Sequence, residues 1–172
     1  MTRITALSLD QAPAAARTAL QGVEKGLGFI PNAFATLAHS PAALSGYLAL
    51  SQALNKNSLT PAEREIAALA ASEVNGCDYC VAAHSFFGNK VGLQADDLLA
   101  ARAGTLDGVA ALARAVTLSR GQVSDAQLAA AREAGLDEAK IVDVIAQVSL
   151  LTLTNYLNNV AKTDIDFPPS GK

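Results

Sequence analysis

Asn75-Gly76-Cys77-Asp78-Tyr79-Cys80-Val81-Ala82-Ala83-His84 holds both cysteines of the chain and one of its two histidines. Ahead of it stand Thr60-Pro61-Ala62-Glu63-Arg64-Glu65 and then a run, Ile66 to Ala71, without a polar residue. The two segments read as a pair of helices. Thr60 at the N-cap, Pro61 at the first helical position and Glu63 at N3 make a start signal with a capping box. A helix that is apolar all round is a buried one. Asn75-Gly76 closes it with residues that tolerate left-handed geometry. The CxxC then opens a second helix, expected to run to about Phe87 before Gly88-Asn89. On that helix Cys77 and Cys80 are i, i+3 neighbours and Cys80 and His84 are i, i+4 neighbours, so all three share one face.

Outward from this pair the chain reads as helices throughout. Residues 1–11 form an extended arm, and Pro13 opens a helix toward Lys25 that Gly26-Leu27-Gly28 ends. A short helix follows from Ala33 to Ala38. Ser40-Pro41 opens another, from Ala42 to about Leu54. Beyond the CxxC helix come Gln94 to Ala103, Leu106 to Ser119, and Asp125 to Glu133 capped by Ser124. The longest runs from Asp137 to about Ala161, with Ile141, Val144, Ile145, Val148, Leu151 and Leu153 as apolar positions. Residues 163–172 are a tail whose Pro168-Pro169 cannot continue a helix. No segment alternates as a strand does. The expectation is one all-α domain over 1–172, a helical bundle with the CxxC at the start of a central helix.

The chain has 172 residues, half of them apolar, with no Trp and a net charge of −3. That length supports a hydrophobic core. No Lys/Arg cluster is present, which argues against a nucleic-acid partner. The first ten residues do not match a signal peptide, and the most apolar stretch, Ile141 to Leu153, is too short and too polar for a membrane span. A lone CxxC with these features places the chain in the reducing cytoplasm, where such a motif is catalytic or metal-binding more often than structural.

Two thiols in reach of each other, with an imidazole one turn away, form a candidate dithiol/disulfide centre. The thiolate is the reactive species, and a helix N-terminus favours it. Helix dipole and exposure point to Cys77 as the attacking thiol; closeness to His84 points to Cys80. The residues alone leave that open. A metal site would take Cys77, Cys80 and His84 and need a fourth ligand. The plainest reading has both cysteines packed as small hydrophobes. Glu65 is either a charge in the first helical turn, favoured by the dipole, or a base drawn into the interior. His39 reads as a capping or surface residue rather than a pocket one, Tyr47 and Tyr156 as core rather than pocket, and Phe86-Phe87 as helix packing rather than a hydrophobic substrate entrance.

Glu65, eleven residues, Cys77-Asp78-Tyr79-Cys80, three residues and His84 together resemble the signature of the alkylhydroperoxidase D-like proteins of the carboxymuconolactone decarboxylase superfamily. Thr60-Pro61-Ala62-Glu63-Arg64-Glu65 and Gly28-Phe29-Ile30-Pro31-Asn32 resemble its peroxidase-related branch, and the likeness runs from about residue 20 to 160. The resemblance implies an all-helical homo-oligomer, trimer or hexamer, that reduces hydroperoxides with neither metal nor other cofactor. It implies that Cys80 attacks the peroxide and Cys77 resolves the sulfenic acid to a disulfide. Glu65 and His84 would relay protons, and an external lipoyl-bearing or thioredoxin-like dithiol would restore the pair. Tyr79 stands where well-known members often carry His, and as a phenol it can donate a hydrogen bond or hold a water. The superfamily's decarboxylases do not depend on a CxxC. A non-catalytic redox sensor would use the same thiols as a switch.

Overall fold

The computed structural model describes residues 1–167. Pro168 and Pro169, read above as a helix-breaking tail, lie outside the described residues. Among those described, nine helices and no strands are present: α1 Ala14–Leu27, α2 Asn32–Leu37, α3 Pro41–Leu54, α4 Pro61–Val74, α5 Asp78–Lys90, α6 Ala95–Ala103, α7 Gly108–Ser119, α8 Asp125–Glu133 and α9 Glu138–Ala161. The all-α architecture expected from the sequence is the one observed.

The hub of the bundle is α4. Seven consecutive residues, Ile66 to Ser72, are buried, and α5, α6, α7 and α9 all pack against it. Its N-terminus carries the complete capping box, Thr60 with Glu63. Small side chains let neighbours approach closely: Ala67, Ala68, Ala70 and Ala71 have no exposed surface. The CxxC helix α5 lies against this hub rather than forming it.

At its C-terminus α4 ends in a Schellman motif: Gly76 N–H donates to Glu73 O and Cys77 N–H to Ser72 O. Gly76 supplies the left-handed residue, with φ +60°. Cys77 is thus both the last residue of that stop and the N-cap of α5, so the chain reverses within Asn75-Gly76-Cys77 and α5 folds back along α4. Alongside them runs α9, tied to the start of α4 by Lys140 Nζ–Glu63 Oε1 at 2.6 Å and to its end by Asn155 Nδ2–Ser72 Oγ at 3.2 Å. The two helices therefore run in the same direction.

Helix boundaries differ from expectation at α5 and α7. Helix α5 passes through Gly88-Asn89 and ends at Lys90. Gly88 is there for closeness, since a Cβ on it would stand 2.8 Å from Leu98 Cδ2 of α6. Helix α7 starts two residues later than Leu106, where Asp107 caps it. On α9, Ile145 and Leu153 face solvent, while Ile141, Val144, Val148 and Leu151 are buried. The 1–11 arm carries no helix and crosses the end of α9, with Arg3 N–H on Ala161 O at 2.6 Å. His39, at the surface, holds the arm through Nε2 and Thr5 O. No helix among the described residues is long and apolar enough to cross a membrane.

Candidate active site

The site lies where α4, α5 and α9 meet, and the 163–167 segment closes one side of it. Both cysteines are free thiols and almost fully buried. As N-cap of α5, Cys77 accepts the Cys80 N–H on its sulfur at 3.4 Å. One turn into the helix, Cys80 receives the side-chain amide of Asn158, with Nδ2 3.3 Å from Sγ. His84 lies one turn further on the same face.

Glu65 is the fifth residue of α4, beyond its first turn, and it does not serve the helix terminus. That place belongs to Glu63. The reversal at Gly76 brings Glu65 Oε2 to 2.7 Å from His84 Nδ1, with both side chains about four-fifths withdrawn from solvent. His84 Nδ1–H donates to the carboxylate, which leaves Nε2 as the other ring nitrogen.

These contacts separate the two thiols. A hydrogen bond from Cys77, the positive charge of His84 and the Asn158 amide bring the Cys80 thiol down to about 6, against the opposing effect of burial. The same hydrogen bond, with burial and the negative charge of Cys80, pushes Cys77 well above an ordinary thiol. Burial works against a charged His84, yet the Glu65 carboxylate more than offsets it and raises the imidazole above its usual value. These contacts favour the thiolate on Cys80, the thiol on Cys77 and the protonated form of His84.

A narrow apolar pocket of about 70 Å³ opens onto Cys80, not Cys77. Its walls include Phe34, Tyr47, Tyr79, Phe87 and Phe167, with His84 and Asn158 among its few polar groups. A second pocket of about 350 Å³ shares Phe34, Tyr47, His84 and Phe87 with the first and reaches Glu65. His84 thus stands between the reactive sulfur on one side and its carboxylate partner on the other.

Tyr79 is placed in the wall. Its hydroxyl donates to Asp166 Oδ1 at 2.7 Å and accepts the Ala33 N–H at 3.2 Å, and its ring meets Phe167 edge-on. Its one proton is therefore committed to the 163–167 segment. Burial pushes its ionisation far above the ordinary phenol range.

Sequence reading missed Asn158, Asn155, Asp166 and Phe167. The asparagines left a signal: two amides at i, i+3 on the apolar face of the longest helix are polar groups in need of buried partners. The tail residues left none, because nothing local says that a non-helical segment will fold back over α5. Tyr47, read as core in preference to pocket, is both: it packs against the core and lines both pockets. Phe87 likewise packs α5 and lines both. Tyr156, also read as core, is exposed. Among the described residues no group of three or more His, Cys, Asp and Glu is placed to hold a metal ion.

The carboxymuconolactone decarboxylase family model matches residues 41–118, from the start of α3 almost to the end of α7, and so includes Glu65, Cys77, Cys80 and His84. The whole chain is similar to an uncharacterized peroxidase-related protein of Ralstonia eutropha JMP134 described as an alkylhydroperoxidase AhpD core. That likeness has a TM-score of 0.84 and 26% identity, over 96% of this chain and 92% of the other. Residues 41–118 match the carboxymuconolactone decarboxylase family, and the fold over the whole chain is AhpD-like. A second peroxidase-related protein, from Silicibacter sp. TM1040, shares the AhpD-like fold at a TM-score of 0.77 and 21% identity, over 94% and 91% of the two chains. So does the debrominase Bmp8, at 0.79 and 19%, over 96% and 93%. No curated protein sequence matches the chain.

Proposed function

We propose that this AhpD-like protein is a thiol-dependent hydroperoxide reductase. The single observation that carries the reading is the division of labour between the sulfurs. Cys80 alone faces the apolar pocket and is the thiol held as thiolate, while Cys77 stands behind it as a buried protonated thiol. The peroxidase-related neighbours with the same fold support it.

The Cys80 thiolate attacks the hydroperoxide RO–OH. The O–O bond breaks, an S–O bond forms, and Cys80 becomes a sulfenic acid while RO⁻ leaves. His84, charged through Glu65, gives its proton to RO⁻, so the leaving group departs as an alcohol. Cys77 then attacks the Cys80 sulfenic sulfur, water leaves, and a Cys77–Cys80 disulfide remains. An external dithiol, lipoyl-bearing or thioredoxin-like, reduces the disulfide and becomes a disulfide itself. No step calls for a metal or other cofactor. Tyr79 contributes the pocket wall and the anchor for Asp166 rather than a proton. The cycle belongs in a reducing compartment such as the cytoplasm, in a homo-oligomer, and in antioxidant defence.

Turnover tests the reading against a sensor that merely switches. With dihydrolipoamide or reduced thioredoxin present, the protein should consume many equivalents of peroxide per chain. Without a reductant it should lose two hydrogens by intact mass and stop. Consumption that halts near one equivalent despite the dithiol contradicts the enzyme.

A further inference from the structure

Asn158 faces the reacting sulfur from α9, a helix that carries none of the four signature residues. Its side chain is buried, its Nδ2 stands 3.3 Å from Cys80 Sγ, and its Oδ1 is buried without a hydrogen-bond partner. One turn earlier on α9, the fully buried Asn155 donates to Ser72 Oγ and accepts from Asn75 Nδ2 at 2.8 Å, and one residue later Asn159 donates to Asn75 O at 2.8 Å. These bonds fix α9 against the reversal that carries the CxxC. Asn158 also lines both the apolar pocket and a polar one bounded by Gly76, Asp78 and Lys162. It is therefore a wall between the pocket at the sulfur and a second open space.

A thiolate accepts hydrogen bonds and donates none, whereas a sulfenic acid carries an O–H that needs an acceptor. One carboxamide offers a donor and an acceptor about two ångströms apart, and neither changes protonation between acid and alkaline pH. We propose that Asn158 is a catalytic residue of this site: its Nδ2 holds the Cys80 thiolate before attack, and its Oδ1 accepts the hydroxyl of the Cys80 sulfenic acid afterwards. The second half rests on the peroxidase reading; the first does not.

Thiolate absorbance in the far ultraviolet, titrated from mildly acid to pH 9, tests the donor without any peroxide, because Cys77 stays protonated throughout. The native protein should give a midpoint near 6. Asn158→Leu and Asn158→Asp should each move it up by about one unit, which cuts the thiolate fraction at pH 6 roughly five-fold. Asn158→Gln, which keeps an amide, should restore part of the shift. Circular dichroism selects the variants that fold, and any one folded Leu or Asp variant decides the matter. A native midpoint in that variant overturns the donor role.

The acceptor is tested in a Cys77→Ser background, where the Cys80 sulfenic acid accumulates with one equivalent of hydrogen peroxide. With a second equivalent of hydrogen peroxide then added, Asn158→Leu should speed further oxidation to the sulfinic acid several-fold, since the hydroxyl is no longer held. Equal rates overturn the acceptor half. If Cys77→Ser forms no sulfenic acid at all, the peroxidase reading and the acceptor half fall together, and the titration still decides the donor.

Discussion

His84 and Glu65 touch at 2.7 Å in a place from which water is largely withdrawn, so the carboxylate sets the charge of the imidazole. Glu65→Gln removes that charge and lowers the proton affinity of His84. The alkaline limb of the peroxidase pH profile should then move toward acid, and the rate at pH 7 should fall roughly 10–100-fold, as for loss of a general acid. A steady-state pH profile of the variant checks both effects; an unmoved alkaline limb removes Glu65 from the relay. Cys80 itself makes a prediction of opposite sign. A thiol lowered to about 6 should react with iodoacetamide ten times faster per pH unit below 6 and level off by pH 7. An ordinary thiol keeps gaining to about pH 8.5. Peptide mass mapping across the range reads this at Cys80 and Cys77 separately, and Cys77 should stay nearly inert. Which thiol attacks could not be read from the sequence, because dipole and base argued for different cysteines. The contacts that favour Cys80, Asn158 on one sulfur and a pocket open to one sulfur, come from α9, from α2 and α3 and from the tail segment.

At the level of elements, the reversal between α4 and α5 builds the site. Its start signals and stops were plain in the chain: a capping box at Thr60, an unbroken apolar run, then Asn75-Gly76. The pairing of Glu65 with His84 follows once that reversal is drawn, since the helices leave it antiparallel. Gly76 carries the turn at φ +60°, with open space around its α-carbon. Gly76→Ala should therefore fit sterically but cost about 1 kcal/mol through backbone strain alone. It should also shift the Cys77 N-cap enough to slow disulfide formation. Urea unfolding and stopped-flow closure of the disulfide measure the two effects; full stability in the variant shows that the left-handed turn is not what holds the pair. Gly88 shows the converse. Its sequence context looked like a helix stop, but its role is the close approach of α5 to α6, and a glycine in a helix gives no local sign of which it is.

Across the whole molecule, α9 has two apolar faces. One carries Val144, Val148, Leu151, Asn155 and Asn158 into the bundle. The other presents Val142, Ile145, Leu153, Tyr156 and Val160 to solvent, spaced three, eight, three and four residues apart along one stripe. The sequence showed apolar residues on more than one face of this helix, Ile145 and Leu153 among them, but not which face the bundle would leave to solvent. We take the outer stripe as the self-association face of the proposed homo-oligomer. Light scattering should give a mass that is a multiple of 17.6 kDa, and Ile145→Lys with Tyr156→Lys should reduce it toward one chain. A native protein already at one chain contradicts that assignment without touching the chemistry. The chemistry itself stands on Cys80 attacking and Cys77 resolving, and one experiment addresses it directly. Each single cysteine variant is given one equivalent of hydroperoxide in the presence of dimedone, and the adduct is read by mass spectrometry. Cys77→Ser should carry one dimedone adduct, on Cys80, and Cys80→Ser should carry none. An adduct on Cys77 in the Cys80→Ser variant, with Cys77→Ser unlabelled, contradicts the account.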